Sequence, residues 1–157
     1  MAAGKWKVYN RAKVAIGNGT LDLSATADWK LALFTSSSNA NTLSLGSATF
    51  GALTNEHANA NGYVTGGAAC TSETWTASTG TVTFDAADVV WTAAGGSITA
   101  RLAVIYRDAT INGIVKPLLC VCVLDTAPAD VTATDTNTFT VTMHADGILT
   151  LSGADVD

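Results

Sequence analysis

Charged side chains are scarce in this sequence of 157 residues: Asp, Glu, Lys and Arg together make up 13% of it, against about 25% in typical soluble proteins. Since 48% of the residues are hydrophobic, the scarcity of charge does not indicate a disordered chain. It indicates a surface built mainly of neutral residues such as Thr, Ser, Asn, Gly and Ala. Neutral surfaces repel one another weakly, so we expect this protein to work as part of an assembly.

Proline-rich linkers and long apolar runs are also lacking. The only prolines are Pro117 and Pro128, so nothing divides the chain, and its length is that of one domain. We place a basic N-terminal segment at residues 1–20 and a single β-sandwich domain at residues 21–157. The longest apolar run, residues 118–124, is far shorter than the about 20 residues of a membrane helix. We therefore expect no membrane association.

The cysteines are few and odd in number. Three cysteines cannot form a closed set of disulfides, and Cys120 and Cys122 lie two positions apart in a strand-like run, where both side chains would point to the same face. The first residues also lack the apolar core of a signal peptide. These features predict buried, reduced thiols in a protein that folds in the cytoplasm.

Positive charge is concentrated near the N-terminus. Half of the eight basic residues lie there, and no acidic residue precedes Asp22, whereas 13 acidic residues give the whole chain a net charge of −5. The four basic residues are Lys5, Lys7, Arg11 and Lys13. Because nucleic-acid-binding proteins are normally basic overall, we expect no direct contact with nucleic acid.

The same basic segment has the spacing of a short helix. Side chains recur three or four positions apart at Trp6, Tyr9, Lys13 and Ile16, and Gly17 is a suitable helix end. Two interpretations stay open: a short helix packed on its own domain, or an arm that is disordered in the free protein and docks on an acidic partner. We favour the docking arm, with contacts made by Lys5, Trp6, Lys7, Tyr9, Arg11 and Lys13.

From residue 28 onward the hydrophobic period is that of β-strands. Residues 29–34 and 118–124 are apolar on both faces, which is typical of central strands. Residues 98–106 alternate in one continuous run that places Leu102 and Val104 on a core face. Residues 35–62 are predicted to be a loop with one helical turn at 53–57. Further strands are predicted between turn residues at 63–71, 73–76, 81–84, 89–92, 138–143 and 148–151. About eight strands indicate an all-β sandwich, most similar to a jelly roll.

No residues show the spacing of a catalytic or metal site. His57 and His144 are far apart in sequence and lack the helical pattern of zinc proteases. The serines lack a Gly-x-Ser-x-Gly elbow, and Cys120 and Cys122 lie among Leu and Val, where a thiolate would be desolvated. We therefore predict that the protein is not an enzyme and that it binds no metal or cofactor.

Five segments occur in a fixed order along the chain: Trp29-Lys-Leu-Ala-Leu-Phe-Thr-Ser-Ser, Leu53-Thr-Asn-Glu, Asn61-Gly-Tyr-Val-Thr-Gly-Gly, Val90-Trp-Thr-Ala and Ser97-Ile-Thr-Ala-Arg-Leu-Ala-Val-Ile-Tyr. Over residues 8–151 this series resembles a family of small virion proteins of tailed bacteriophages. Residues 39–50 are an insertion relative to the family pattern.

The resemblance implies a structural protein of the virion, made in the host bacterial cytoplasm. Some phage β-proteins of this size are capsid cement or decoration proteins with jelly-roll folds. This favours a homo-oligomeric subunit on the outside of the head that bridges copies of the major capsid protein. The alternative is a tail-associated or fibre-tip module that binds a host glycan by aromatic stacking. Tyr63 and Trp75 are the candidate residues for it, because Trp29 and Trp91 are expected in the core.

Overall fold

Antiparallel strands and one short helix make up the fold. The computed structural model describes residues 4–25, 28–42, 44, 49–125 and 129–153. In chain order the elements are β1 (Lys7–Val8), α1 (Asn10–Gly17), β2 (Trp29–Phe34), two 3₁₀ turns (Asn39–Asn41 and Phe50–Ala52), β3 (Ala68–Ala69), β4 (Thr74–Ser78), β5 (Thr81–Asp85), β6 (Val89–Thr92), β7 (Ile98–Ala100), β8 (Leu102–Arg107), β9 (Thr110–Ile111), β10 (Ile114–Val115), β11 (Leu118–Val123), β12 (Val131–Ala133), β13 (Thr138–Val141) and β14 (Leu149–Ser152). The all-β prediction is confirmed, although short strands are more numerous than expected.

The centre of the molecule is a five-stranded antiparallel sheet in the order β1-β11-β8-β2-β3. Strands β2, β8 and β11 are buried on both faces apart from partial exposure of Lys30 and Val123, as expected for sequences that are apolar at almost every position. This confirms the prediction of central strands at residues 29–34 and 118–124.

Four smaller sheets of the described residues accompany this central sheet, and the one that contains β5 contacts the central sheet at Trp29. They are the three-stranded sheet β14-β5-β4 and the pairs β6–β13, β7–β12 and β9–β10. The ring of Trp29 in β2 lies 5.3 Å from the ring of Phe84 in β5, and Trp91 in β6 contacts both Tyr63 and Phe139. Trp29 and Trp91 therefore belong to the core, as predicted.

The long segment between β2 and β3 covers the opposite face. Phe50 stacks on Tyr106 of β8 at 4.1 Å and contacts Phe34 of β2, and the 3₁₀ turn at residues 39–41 packs on β8 and β11. The helical turn predicted at residues 53–57 is not present; the turns lie at 39–41 and 50–52 instead. The loop thus serves as a second covering layer, and this is why β8 is buried on both sides.

The predicted single strand at residues 98–106 is divided at Arg101. Before it, β7 pairs with β12; after it, β8 pairs with β2 and β11. The Arg101 backbone N–H donates to the carbonyl of Phe34, and its guanidinium donates to the carbonyl of Ala129 at 2.7 Å. The chain therefore changes sheets at this residue, so the prediction of one continuous strand is wrong, whereas Leu102 and Val104 are buried in the core as predicted.

The N-terminal segment is part of the folded domain. Strand β1 pairs with β11, with Lys7 opposite Val121 and Val8 opposite Cys120, and helix α1 begins only at Asn10. Trp6 and Tyr9 therefore precede the helix rather than lying on it, which corrects the predicted helical spacing. The described residues 4–20 pack against the same core as the rest of the chain, so the structure does not separate them from the domain at 21–157.

Candidate interaction surface

The basic N-terminal segment carries exposed positive charge on an ordered scaffold. Lys5 precedes β1, Lys7 lies in it, and Arg11 and Lys13 lie on α1; all four side chains are exposed. Within the described residues, none of the four forms an ion pair with a carboxylate. This part of the surface therefore presents positive charge that the described acidic residues do not neutralise.

Tyr9 holds this segment in place from inside the core. It is 2% exposed, its hydroxyl donates to the carbonyl of Ala40 at 2.5 Å, and its backbone N–H donates to the carbonyl of Leu119 at 3.0 Å. Burial raises the pKa of Tyr9 well above its usual value. Tyr9 is consequently an anchor of the segment, and its ring is not available to a partner.

Trp6 is half-buried in a small cleft. Its ring packs against the core, and its buried indole Nε1 has no hydrogen-bond partner among the described residues. The cleft has a volume of about 190 Å³ and is also lined by Lys5, His144 and Asp146. Trp6 is thus partly accessible, whereas Tyr9 is not.

An open apolar groove lies beside α1. Its volume is about 390 Å³, and it runs between α1, the β9–β10 hairpin and the start of β11. The lining residues are Arg11, Ala12, Val14, Ala15, Asn18, Thr20, Leu21, Ile114, Pro117 and Leu118. Val14 is 67% exposed, the largest exposed fraction given for a large hydrophobic side chain in the described part of the chain. Apolar and basic groups therefore meet on one surface, which we call the α1 groove.

Ion pairs anchor the hairpin that forms one wall of the α1 groove. Asp108 accepts from the ammonium groups of Lys116 at 2.7 Å and Lys30 at 2.6 Å. These hydrogen bonds, that of Lys116 first, hold the pKa of Asp108 below its usual value. They connect the end of the hairpin to strand β2 and so fix the groove wall relative to the central sheet.

The two residues predicted to bind a glycan do not form a common platform. Tyr63 is 1% exposed; its hydroxyl donates to Oε1 of Glu56 at 2.7 Å and accepts from the backbone N–H of Leu33 at 3.0 Å. Trp75 is half-buried and faces a shallow pocket that Leu21 and Leu23 also line. Because Tyr63 is in the core, its ring cannot stack on a sugar, and the structure corrects its predicted exposure.

The cysteines lie in the core, and the two histidines make hydrogen bonds to neighbouring residues in the chain. Cys70, Cys120 and Cys122 are buried, as predicted for Cys120 and Cys122, and burial raises the pKa of Cys70 and of Cys122 to about 12. The Nδ1 of His57 lies 2.8 Å from the carbonyl of Ala58. In the part of the chain that the structure describes, no group of three or more His, Cys, Asp or Glu is placed to hold a metal ion.

Comparisons with known proteins identify no relative. No family model, no curated protein and no solved structure matches this chain. Among the described residues, no helix has the length and apolar character needed to cross a membrane.

Sequence reasoning missed the hairpin wall of the α1 groove. The signal for it was present: Asn112-Gly113 separates two short apolar strands, and this dipeptide is a strong hairpin signal. Both residues adopt positive φ, 47° and 80°, as the type I′ turn requires. The exposed Val14 was also detectable as an apolar residue among the basic side chains of the segment.

Proposed function

We propose that this protein is a non-enzymatic structural protein of a tailed-bacteriophage particle, made in the bacterial cytoplasm and incorporated into the virion. In this proposal it is a jelly-roll cement or decoration subunit of the head that binds the major capsid protein and copies of itself. The resemblance of residues 8–151 to small phage virion proteins supports the proposal. The single structural observation that carries it is the α1 groove, where apolar and positively charged groups are exposed together.

The chemistry of the α1 groove suits a protein surface with an apolar side chain beside acidic groups. The exposed Val14 and the groove wall offer apolar area, and burial of such area is the main favourable term in most protein association. Arg11 lies in the groove and Lys13 lies on the same helix. An Arg guanidinium keeps its charge at an interface and binds carboxylates in a bidentate manner.

The ordered N-terminal segment changes the expected mode of docking. An arm that is disordered before binding loses conformational entropy when it docks, and this loss weakens the affinity. Here Tyr9 and β1 already fix the segment on the domain. The proposed contacts are therefore made by Lys5, Lys7, Arg11 and Lys13 and by the accessible part of Trp6, while Tyr9 acts from inside the core.

The proposed mechanism is adhesive. A subunit that bridges neighbouring capsid proteins buries surface on several of them, and a specific protein interface buries about 1,200–2,000 Å² in total. If the subunit binds only the expanded shell, its binding energy stabilises that state by linkage. Particles without the protein should then assemble but release their genome at lower temperature.

Rebinding to such particles tests the α1 groove. We expect wild-type protein to restore heat resistance, and Val14→Asp and the double variant Arg11→Glu/Lys13→Glu to bind at least about tenfold more weakly, since tenfold is about 1.4 kcal/mol. The matched control is Val64→Asp, because Val64 is 64% exposed and does not line the groove. Bound copies per particle and the temperature of genome release are measured. Equal binding by Val14→Asp and Val64→Asp would refute docking through the groove.

Copy number separates the head proposal from the tail alternative. Hundreds of copies per virion are expected for a capsid subunit, whereas roughly six to twenty indicate a tail or connector protein, by the closed symmetry of such rings. The tail-associated glycan-binding module has less structural support, since Tyr63 is buried and Trp75 alone remains partly accessible.

A further inference from the structure

Strand β4 is an open sheet edge without the usual protection. It is the longest strand of the described structure with only one partner, β5, and four of its five residues are exposed. Edge strands are normally shielded from other chains by charged residues, proline or bulges. The β4 sequence Thr-Trp-Thr-Ala-Ser contains no charge and no proline, and its register with β5 is regular from Thr74 to Ser78.

The other edges of the described sheets are shorter or guarded. Strand β1 has only two residues; it includes the exposed Lys7 and follows the exposed Lys5. Strand β3 also has only two residues. Strand β14 has four residues. Among the described edge strands, β4 is therefore the longest, and it carries no charge or proline that would block pairing with another chain.

The geometry of the β4–β5 turn determines which backbone groups face outward. Thr79 and Gly80, with φ of 43° and 74°, form a two-residue turn between Ser78 and Thr81. The carbonyl of the first flanking residue accepts from the N–H of the second in such a turn. Since ladder bonds alternate along an antiparallel pair, Trp75 and Ala77 direct their N–H and C=O groups away from β5.

We propose that β4 pairs with β4 of a second copy of this chain in an antiparallel, two-fold symmetric interface centred on Thr76. In this register Trp75 lies opposite Ala77 of the second copy, and each such pair exchanges two hydrogen bonds. The three-stranded sheets of the two copies then form one continuous six-stranded sheet, β14-β5-β4 followed by β4-β5-β14.

The side chains of β4 fit this register. The small Ala77 leaves space for the indole opposite it, and Thr76 lies opposite Thr76, a pairing that stabilises antiparallel sheets. Thr74 lies opposite Ser78, so no charged residue is buried. The nearest acidic residue, Glu73, falls opposite Thr79, and the two Glu73 side chains are about 20 Å apart along the sheet. The edge is thus complementary to itself, and a closed dimer follows from the symmetry.

Disulfide trapping tests the register. In the proposed dimer the two Thr76 residues form a non-hydrogen-bonded pair with Cα atoms about 4.5 Å apart, within the range of a disulfide. Under mild oxidation we expect Thr76→Cys to give a covalent dimer in high yield. The matched control is Thr74→Cys on the same strand and face, whose two copies are about 14 Å apart, and it should stay monomeric on non-reducing gels. The three native cysteines are buried and are common to both variants.

Like-charge substitution tests the same contact without covalent chemistry. Thr76→Glu places two carboxylates opposite each other and should shift the monomer–dimer equilibrium, measured by sedimentation over a concentration series, toward monomer by about tenfold or more. Thr74→Glu adds the same charge opposite the neutral Ser78, with the two new carboxylates about 14 Å apart along the sheet, and should leave the dimer largely intact. Ala77→Pro removes an outward N–H that β5 does not use, so it should also yield a folded monomer.

Several results would overturn the proposal. A wild-type protein that is monomeric throughout the concentration series, equal trapping of Thr76→Cys and Thr74→Cys, or a dimer that Thr76→Glu leaves unchanged would each exclude β4 pairing. Open fibres would indicate heterologous pairing of β4 with β14 instead. The proposal does not depend on the phage assignment, because it concerns the free protein, and failure of particle binding through the α1 groove would leave it unaffected.

Discussion

Replacing Tyr9 decides whether the N-terminal segment stabilises the fold. Tyr9→Ala removes a ring that is 2% exposed and leaves the Ala40 carbonyl without its donor. Removal of a buried aromatic side chain costs about 3–5 kcal/mol. Tyr9→Phe keeps the ring and loses only the hydroxyl, so its cost should be about 1–3 kcal/mol, that of an unsatisfied buried acceptor.

Urea denaturation of the free protein measures both effects. We expect the midpoint to fall in the order wild type, Tyr9→Phe, Tyr9→Ala, with an unchanged slope if unfolding is two-state. The control is Lys13→Ala, an exposed residue on α1 that should alter stability by less than about 0.5 kcal/mol. If Tyr9→Ala were no more destabilising than Lys13→Ala, the segment would not be packed in solution, and the disordered docking arm would be the better description.

Three further predictions concern two buried residues and the ion pairs of Asp108. Leu102→Ala, in the buried strand β8, should lower the free energy of unfolding by about 2–5 kcal/mol, and a change below about 0.5 kcal/mol would contradict its position. The pKa of Asp108 is lowered in the folded protein, so its ion pairs stabilise the fold fully above the unfolded-state pKa of about 3.9. This stabilisation is lost as the pH falls through the folded-state pKa. Asp108→Asn should therefore reduce the decrease of the denaturation midpoint in acid. Because burial raises the pKa of Cys122 to about 12, a thiol reagent at neutral pH should label it only after denaturation, and rapid labelling of the native protein would show that the site is open.

Central strands were predictable because their signal is local. Residues 29–34 are apolar on both faces, a pattern that is typical of a strand buried on both sides, and this strand lies next to the middle of the main sheet. The break at Arg101 was not predictable from the same reasoning, since one polar residue does not disturb an alternating pattern. The break depends on acceptors at Phe34 and Ala129, which only the folded chain brings near Arg101.

The candidate surface was predictable in its charge and not in its shape. Lys5, Lys7, Arg11 and Lys13 are exposed as expected, but the burial of Tyr9 depends on Ala40, 31 residues away in sequence. Tyr63 shows the same difficulty: it lies outside any strand, and its burial depends on hydrogen bonds to Leu33 and Glu56. Sequence patterns report the periodicity of an element, whereas contacts between distant loops have no periodicity to detect.

The pairing of β2 with β8 has a consequence for synthesis of the chain. Leu102, the partner of Phe34, is 68 residues further along, and at about 5–20 residues per second the ribosome needs roughly 3–14 s to make that stretch. During this time β2 presents Leu31, Leu33 and Phe34 without the strand that later covers them. Local hairpins such as β4–β5 form within microseconds, whereas the pairing of β2 with β8 must wait for synthesis of β8. The nascent chain therefore exposes an apolar strand for seconds, and chaperones should bind it at β2.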